Sequence, residues 1–96
     1  MLEKDFRVNC KVSHAWSKSV IKVKVTNVSK DDYFGYTDIE VRVGCFDKKG
    51  EQVDVLWGKI NKPLCSGKSS TIELKTDKNI ASASGDVRDA SNYDCN

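Results

Sequence analysis

The chain has 96 residues, enough for one domain over 1–96, and so short a chain buries only about two-thirds of its unfolded surface, so its core is modest. Sixteen Lys or Arg stand against 14 Asp or Glu, leaving a net charge of +2. No run approaches the roughly 18 apolar residues that a membrane-spanning helix needs, which excludes a helical span and leaves a water-soluble chain as the expectation.

Period-two alternation dominates the sequence, the mark of strands with one buried and one wet face. A first strand is expected over Phe6 to Val12, with Phe6, Val8, Cys10 and Val12 opposed by Arg7, Asn9 and Lys11. His14 follows in a polar connection. The second strand covers Val20 to Val28, where Ile21, Val23 and Val25 alternate with Lys22, Lys24 and Thr26, and β-branched residues suit a pleated surface. Asp31-Asp32-Tyr33-Phe34-Gly35-Tyr36-Thr37-Asp38 then reads as a loop. The third and longest strand is Thr37 to Phe46, with Ile39, Val41, Val43 and Cys45 on one face. Asp47-Lys48-Lys49-Gly50 has the Asp and Gly of a short hairpin turn. The fourth strand returns over Gln52 to Trp57, with Val53, Val55 and Trp57 expected inward.

Residues 58–67 hold the only proline, Pro63, and read as a crossing between sheets. Ser70 to Thr76 makes a fifth strand with Ile72 and Leu74 inward. The alternation after Lys78 is faint, and one or two irregular strands are expected there. Strands separated by turn signals, with no helix between them, predict an all-β antiparallel sandwich of six or seven strands.

From about Val23 to Leu74 the chain resembles the bacterial immunoglobulin-like FxLYD domains. The resemblance is carried by Val25-Thr26-Asn27-Val28-Ser29, by Ile39-Glu40-Val41-Arg42-Val43-Gly44-Cys45-Phe46-Asp47, by Lys49-Gly50-Glu51-Gln52-Val53 and by the Ser66-Gly67-Lys68-Ser69 turn. It implies an immunoglobulin-like sandwich in an extracytoplasmic bacterial setting, and it brings no catalytic residues.

Four cysteines in so short a chain read first as a disulfide framework, because there is no C-x-x-C pair of the kind that metal or redox sites use. Successive antiparallel strands put Cys10 and Cys45 near one end of the sandwich and Cys65 and Cys95 near the other. Of the three possible connectivities, the expected one is therefore Cys10–Cys45 with Cys65–Cys95. Such bonds predict a secreted, periplasmic or surface-displayed protein. Met1-Leu2-Glu3-Lys4-Asp5 has no apolar signal segment, so a signal peptide is expected to have been removed.

Catalytic motifs are missing. No G-x-S-x-G, Walker loop, G-x-G-x-x-G or H-E-x-x-H occurs, and His14 is the only histidine available to activate a cysteine. The chain is expected not to be an enzyme and to carry no cofactor and no metal, since Asp31, Asp32 and Asp38 lack the calcium-loop spacing. Asn27-Val28-Ser29 is a formal glycosylation sequon.

Two surfaces are candidates for binding. Asp31, Asp32, Tyr33, Phe34 and Tyr36 combine flat rings with polar groups, as protein and sugar contacts do. The second is a basic face of Arg7, Lys11, Lys22, Lys24 and Lys75. Residues 1–30 carry seven Lys or Arg against two acids, whereas residues 31–58 carry three against seven. If the first, second and fifth strands form one sheet, that sheet is basic and the other acidic. Its wet face lacks the aromatics that nucleic-acid binding would want. The expected function is a non-catalytic interaction module for a protein or glycan. An inhibitor or immunity-type protein and a structural spacer are the alternatives.

Overall fold

A computed structural model describes residues 2–96. A 3-10 turn at Leu2–Asp5 precedes six strands: β1 Phe6–Ala15, β2 Lys18–Asn27, β3 Phe34–Phe46, β4 Gln52–Ile60, β5 Ser69–Thr76 and β6 Ser82–Asp94. Both sheets are antiparallel and three-stranded, in the orders β1-β2-β5 and β4-β3-β6. The domain is the expected all-β antiparallel sandwich, 45 × 23 × 17 Å.

Alternation builds the core. On β2 the residues Ile21, Val23 and Val25 are wholly buried, and on β3 Ile39, Val41, Val43 and Cys45 are too. β1 lies over β6 and β5 over β4, so the two central strands face each other across the middle of the core. At both edges a glycine lets the sheets close. A Cβ on Gly58 of β4 would meet Ile72 Cδ1 of β5 at 2.5 Å, and one on Gly85 of β6 would meet Val8 Cγ1 of β1 at 2.9 Å. A further cross-sheet tie runs from Thr76 Oγ1, which donates to Asp54 Oδ2 at 2.6 Å. That bond, with one from the Val55 amide, holds the Asp54 carboxyl below its ordinary range.

The turns follow their chemistry. Gly50 takes a φ of +83°, and Asp47 Oδ1 accepts from the Lys49 and Glu51 amides at 2.9 and 3.0 Å, so the expected β3–β4 hairpin forms. β1 and β2 are joined by Trp16 and Ser17 alone, and Trp16 sits at φ 60°, where glycine is usual in a two-residue turn.

Three expectations are corrected. Cys10 and Cys45 are free thiols, and Cys65–Cys95 is the single disulfide, with Cα atoms 5.9 Å apart. The reason lies in the layering. β1 covers the edge strand β6, so Cys10 Sγ comes to rest 3.3 Å from where a Gly85 Cβ would be, while Cys45 sits on central β3 and pairs with Ala83, two residues farther along β6. Burial raises both thiols above the ordinary cysteine pKa. Trp57 points outward, 53% exposed, because the inward set of β4 is Asp54, Leu56, Gly58 and Ile60, paired with Cys45, Val43, Val41 and Ile39. Val53 packs against the core as expected, because the register shift beyond Cys45 makes it an extra residue beside Asp54. Phe34 to Tyr36 belong to β3 rather than to a loop, while the tail is, as expected, one irregular strand, 13 residues paired with β3 through register shifts.

Candidate functional site

The end of the sandwich where β2 stops and β3 starts collects most of the irregular chain. Asn27 holds it together. Its Nδ2 donates to Leu64 O at 2.9 Å and its Oδ1 accepts from the Ser29 amide at 2.9 Å. Its backbone closes two further bonds, to Lys68 O and from the Gly67 amide. The side chain is fully buried, so the formal sequon at Asn27 offers no accessible amide in the folded domain. Gly35 supplies the close approach. A Cβ there would lie 2.5 Å from Leu64 O and 2.9 Å from Cys65 Cα, so the disulfide-bearing loop rests on bare β3 backbone.

On this frame the five sequence-predicted residues divide into two groups. Asp31 is a turn former: its Oδ1 accepts from the Tyr33 and Phe34 amides at 2.9 and 3.1 Å. Tyr36 belongs to the core margin, its ring 5.0 Å from that of Phe6 and its hydroxyl donating to Asp5 Oδ2. Tyr33 and Phe34 are 63% and 58% exposed, and Asp32 is exposed beside them. Their backbone is fixed nonetheless, by Asp31 on one side and by the Cys95 amide, which donates to Tyr33 O at 2.9 Å, on the other. The rings thus stand on a backbone hydrogen-bonded from both sides.

Beneath Phe34 opens a cleft of about 660 Å³ lined by Asp5, Ser29, Lys30, Asp31, Tyr36 and Asn92. Its wall combines two carboxylates, the Lys30 ammonium and the Asn92 amide with the rings of Phe34 and Tyr36. Ser29 Oγ is buried there with no hydrogen-bond partner among the described residues. Asp5, Ser29 and Asn92 escaped sequence reasoning because they are drawn together from three distant segments, and no local pattern marks them.

The Tyr36 hydroxyl is pushed up to about 12, first by its hydrogen bond to Asp5 and then by burial and by the charges of Asp5 and Asp31. A phenol whose folded pKa lies above its unfolded value of about 10 contributes stability that is complete below pH about 10 and vanishes as pH passes through about 12. Melting temperature is therefore expected to fall across that alkaline window, and Tyr36→Phe is expected to flatten the fall while lowering the value at neutral pH.

The basic residues come together on the outer face of β1-β2-β5. Arg7, Lys11, Lys22, Lys24 and Lys75 are all exposed, with Glu73 the one acid among them on these strands. Lys11 stands directly opposite Lys22, a like-charge pair that weakens a sheet. None of the five is in an ion pair among the described residues, where the bridges are Lys18–Asp77 and Arg88–Asp86. The acidic counterpart expected on the other sheet is corrected: Glu40, Asp86 and Asp89 lie there with Arg42, Lys59 and Arg88, and the remaining acids of 31–58 fall mainly in turns and strand ends.

The β1–β2 end departs from the sequence reading, for His14 lies within β1 and not in a connection. Trp16, at the β1–β2 tip, is 103% exposed, and the His14 ring reaches across to the β5–β6 connection, where its Nε2 donates to Ile80 O at 3.0 Å. Only the break in alternation after Val12 hinted at that hairpin tip. Compared with family models, with curated proteins and with solved structures, the chain matches none.

Proposed function

We propose that the chain is a non-catalytic, extracytoplasmic binding module that recognises a sugar, borne on a glycan or a glycoprotein, at the Tyr33–Phe34 end. One observation carries this reading: two aromatic rings stand more than half exposed on a backbone pinned by Asp31 and by the Cys95 amide. Rings held in place lose little conformational entropy on binding, and their faces suit the apolar side of a sugar ring. Asp32 and the cleft groups Asp5 and Asn92 offer acceptors and donors for hydroxyls. The Cys65–Cys95 disulfide supports a setting outside the reducing cytosol, as does the resemblance to FxLYD domains.

Titration with a panel of neutral and acidic oligosaccharides, followed by amide chemical shifts, is the test. Shifts are expected at Tyr33, Phe34 and the cleft, with affinity falling about 30-fold or more in Tyr33→Ala/Phe34→Ala, the size of a lost hot spot. Unchanged affinity in that variant, with its far-ultraviolet spectrum intact, sinks the reading.

A further inference from the structure

We propose that the outer face of β1-β2-β5 is a second binding surface, distinct from the Tyr33–Phe34 end, that docks on an anionic lipid bilayer with Trp16 seated at headgroup level. Charge carries the first part. Five exposed cations share a three-stranded face with one acid, none of them held in an ion pair among the described residues. Lys11 stands opposite Lys22, which has Glu73 of β5 on its other side to offset part of the repulsion, and a negatively charged plane over the face would relieve the rest.

Trp16 carries the second part. It occupies the tip of the β1–β2 hairpin, the two strands that bear Arg7, Lys11, Lys22 and Lys24, so it stands at one end of the basic face. The ring is 103% exposed and the backbone is held at φ 60°, a conformation that glycine would occupy more easily. Folding thus tolerates both an unburied indole and a strained turn at this one residue. An indole is amphipathic and settles at the boundary between headgroups and acyl chains, while Lys and Arg near an anionic leaflet are attracted to it. A single-stranded nucleic acid would instead require aromatics between the cations, and the outward residues of these strands include none.

The chain has two tryptophans, so Trp57→Phe leaves Trp16 as the sole indole reporter. This variant is expected to float with vesicles of phosphatidylcholine mixed with phosphatidylglycerol, not with phosphatidylcholine alone, and its emission is expected to shift to the blue on binding. Lys22→Gln and Lys24→Gln are each expected to weaken partition about five-fold. In the wild-type background, Trp16→Gly is expected to keep its melting temperature, because glycine suits the turn, and to lose most of the vesicle binding. Equal flotation with both vesicle types, flotation without an emission shift, or retention on heparin without flotation would each overturn the proposal.

Discussion

Cys65→Ser is expected to lower folding stability by about 3.5 kcal/mol, because it opens a loop spanning 30 positions that the disulfide closes. For a domain of this size that corresponds to a fall in melting temperature of roughly 15 to 25 °C, readable by calorimetry. The loss should be concentrated at the Asn27 end. There the loop packs on Gly35, and Cys95 leads directly into the bond with Tyr33 O. Sugar affinity at Tyr33 and Phe34 is expected to drop with it. Cys10→Ala is the informative comparison. Cys10 is a half-buried free thiol, so its loss should cost no more than about 1 kcal/mol. A cost equal to that of Cys65→Ser would mean that Cys10 is also bridged. Thiol titration in denaturant checks the same point, with two reactive groups expected.

Asn27→Ala is expected to cost about 3 kcal/mol by chemical denaturation, through the unpaired groups it leaves. Leu64 O loses its donor and the Ser29 amide its acceptor, both enclosed by the loop that follows β4. Asn27→Asp sharpens the test. The carboxylate would be buried and would face Leu64 O with no proton to give it, so its pKa should rise in the folded state. A group with a raised folded pKa stabilises below its unfolded value and ceases to do so as pH rises. The Asn27→Asp variant should therefore recover stability in acid relative to wild type, and a flat difference across pH would exclude the Leu64 bond as the cause.

The strands most legible in the sequence were those with branched residues on one face and charge on the other. β1, β2, β3 and β5 have that pattern, whereas the sheet β1-β2-β5 was a supposition in the sequence that only the pairing in the structure establishes. β6 lacked the signal for a packing reason. Its inward positions Ala83, Gly85 and Ala90 are small because β1 sits close above them, so only Val87 reads as hydrophobic. β4 misled in a different way. Gly58 occupies an inward position with no side chain to mark it, and the neighbouring Val55 and Trp57 form an apolar pair of the opposite phase. For the binding end, the exposed Tyr33 and Phe34 were visible as residue types. That Tyr36 and Asp31 serve the fold instead depends on Phe6, Asp5 and two backbone amides, which no local pattern joins to them.

The two unbridged thiols make the domain its own probe of opening. Cys45 has no accessible surface and sits between the sheets, while Cys10 is partly open at the β1 edge. A slow alkylating reagent should therefore modify them in sequence: Cys10 when the β1 edge lifts from β6, and Cys45 only when the sandwich separates. The ratio of the two labelling rates would measure how far the free energy of edge fraying falls below that of global unfolding.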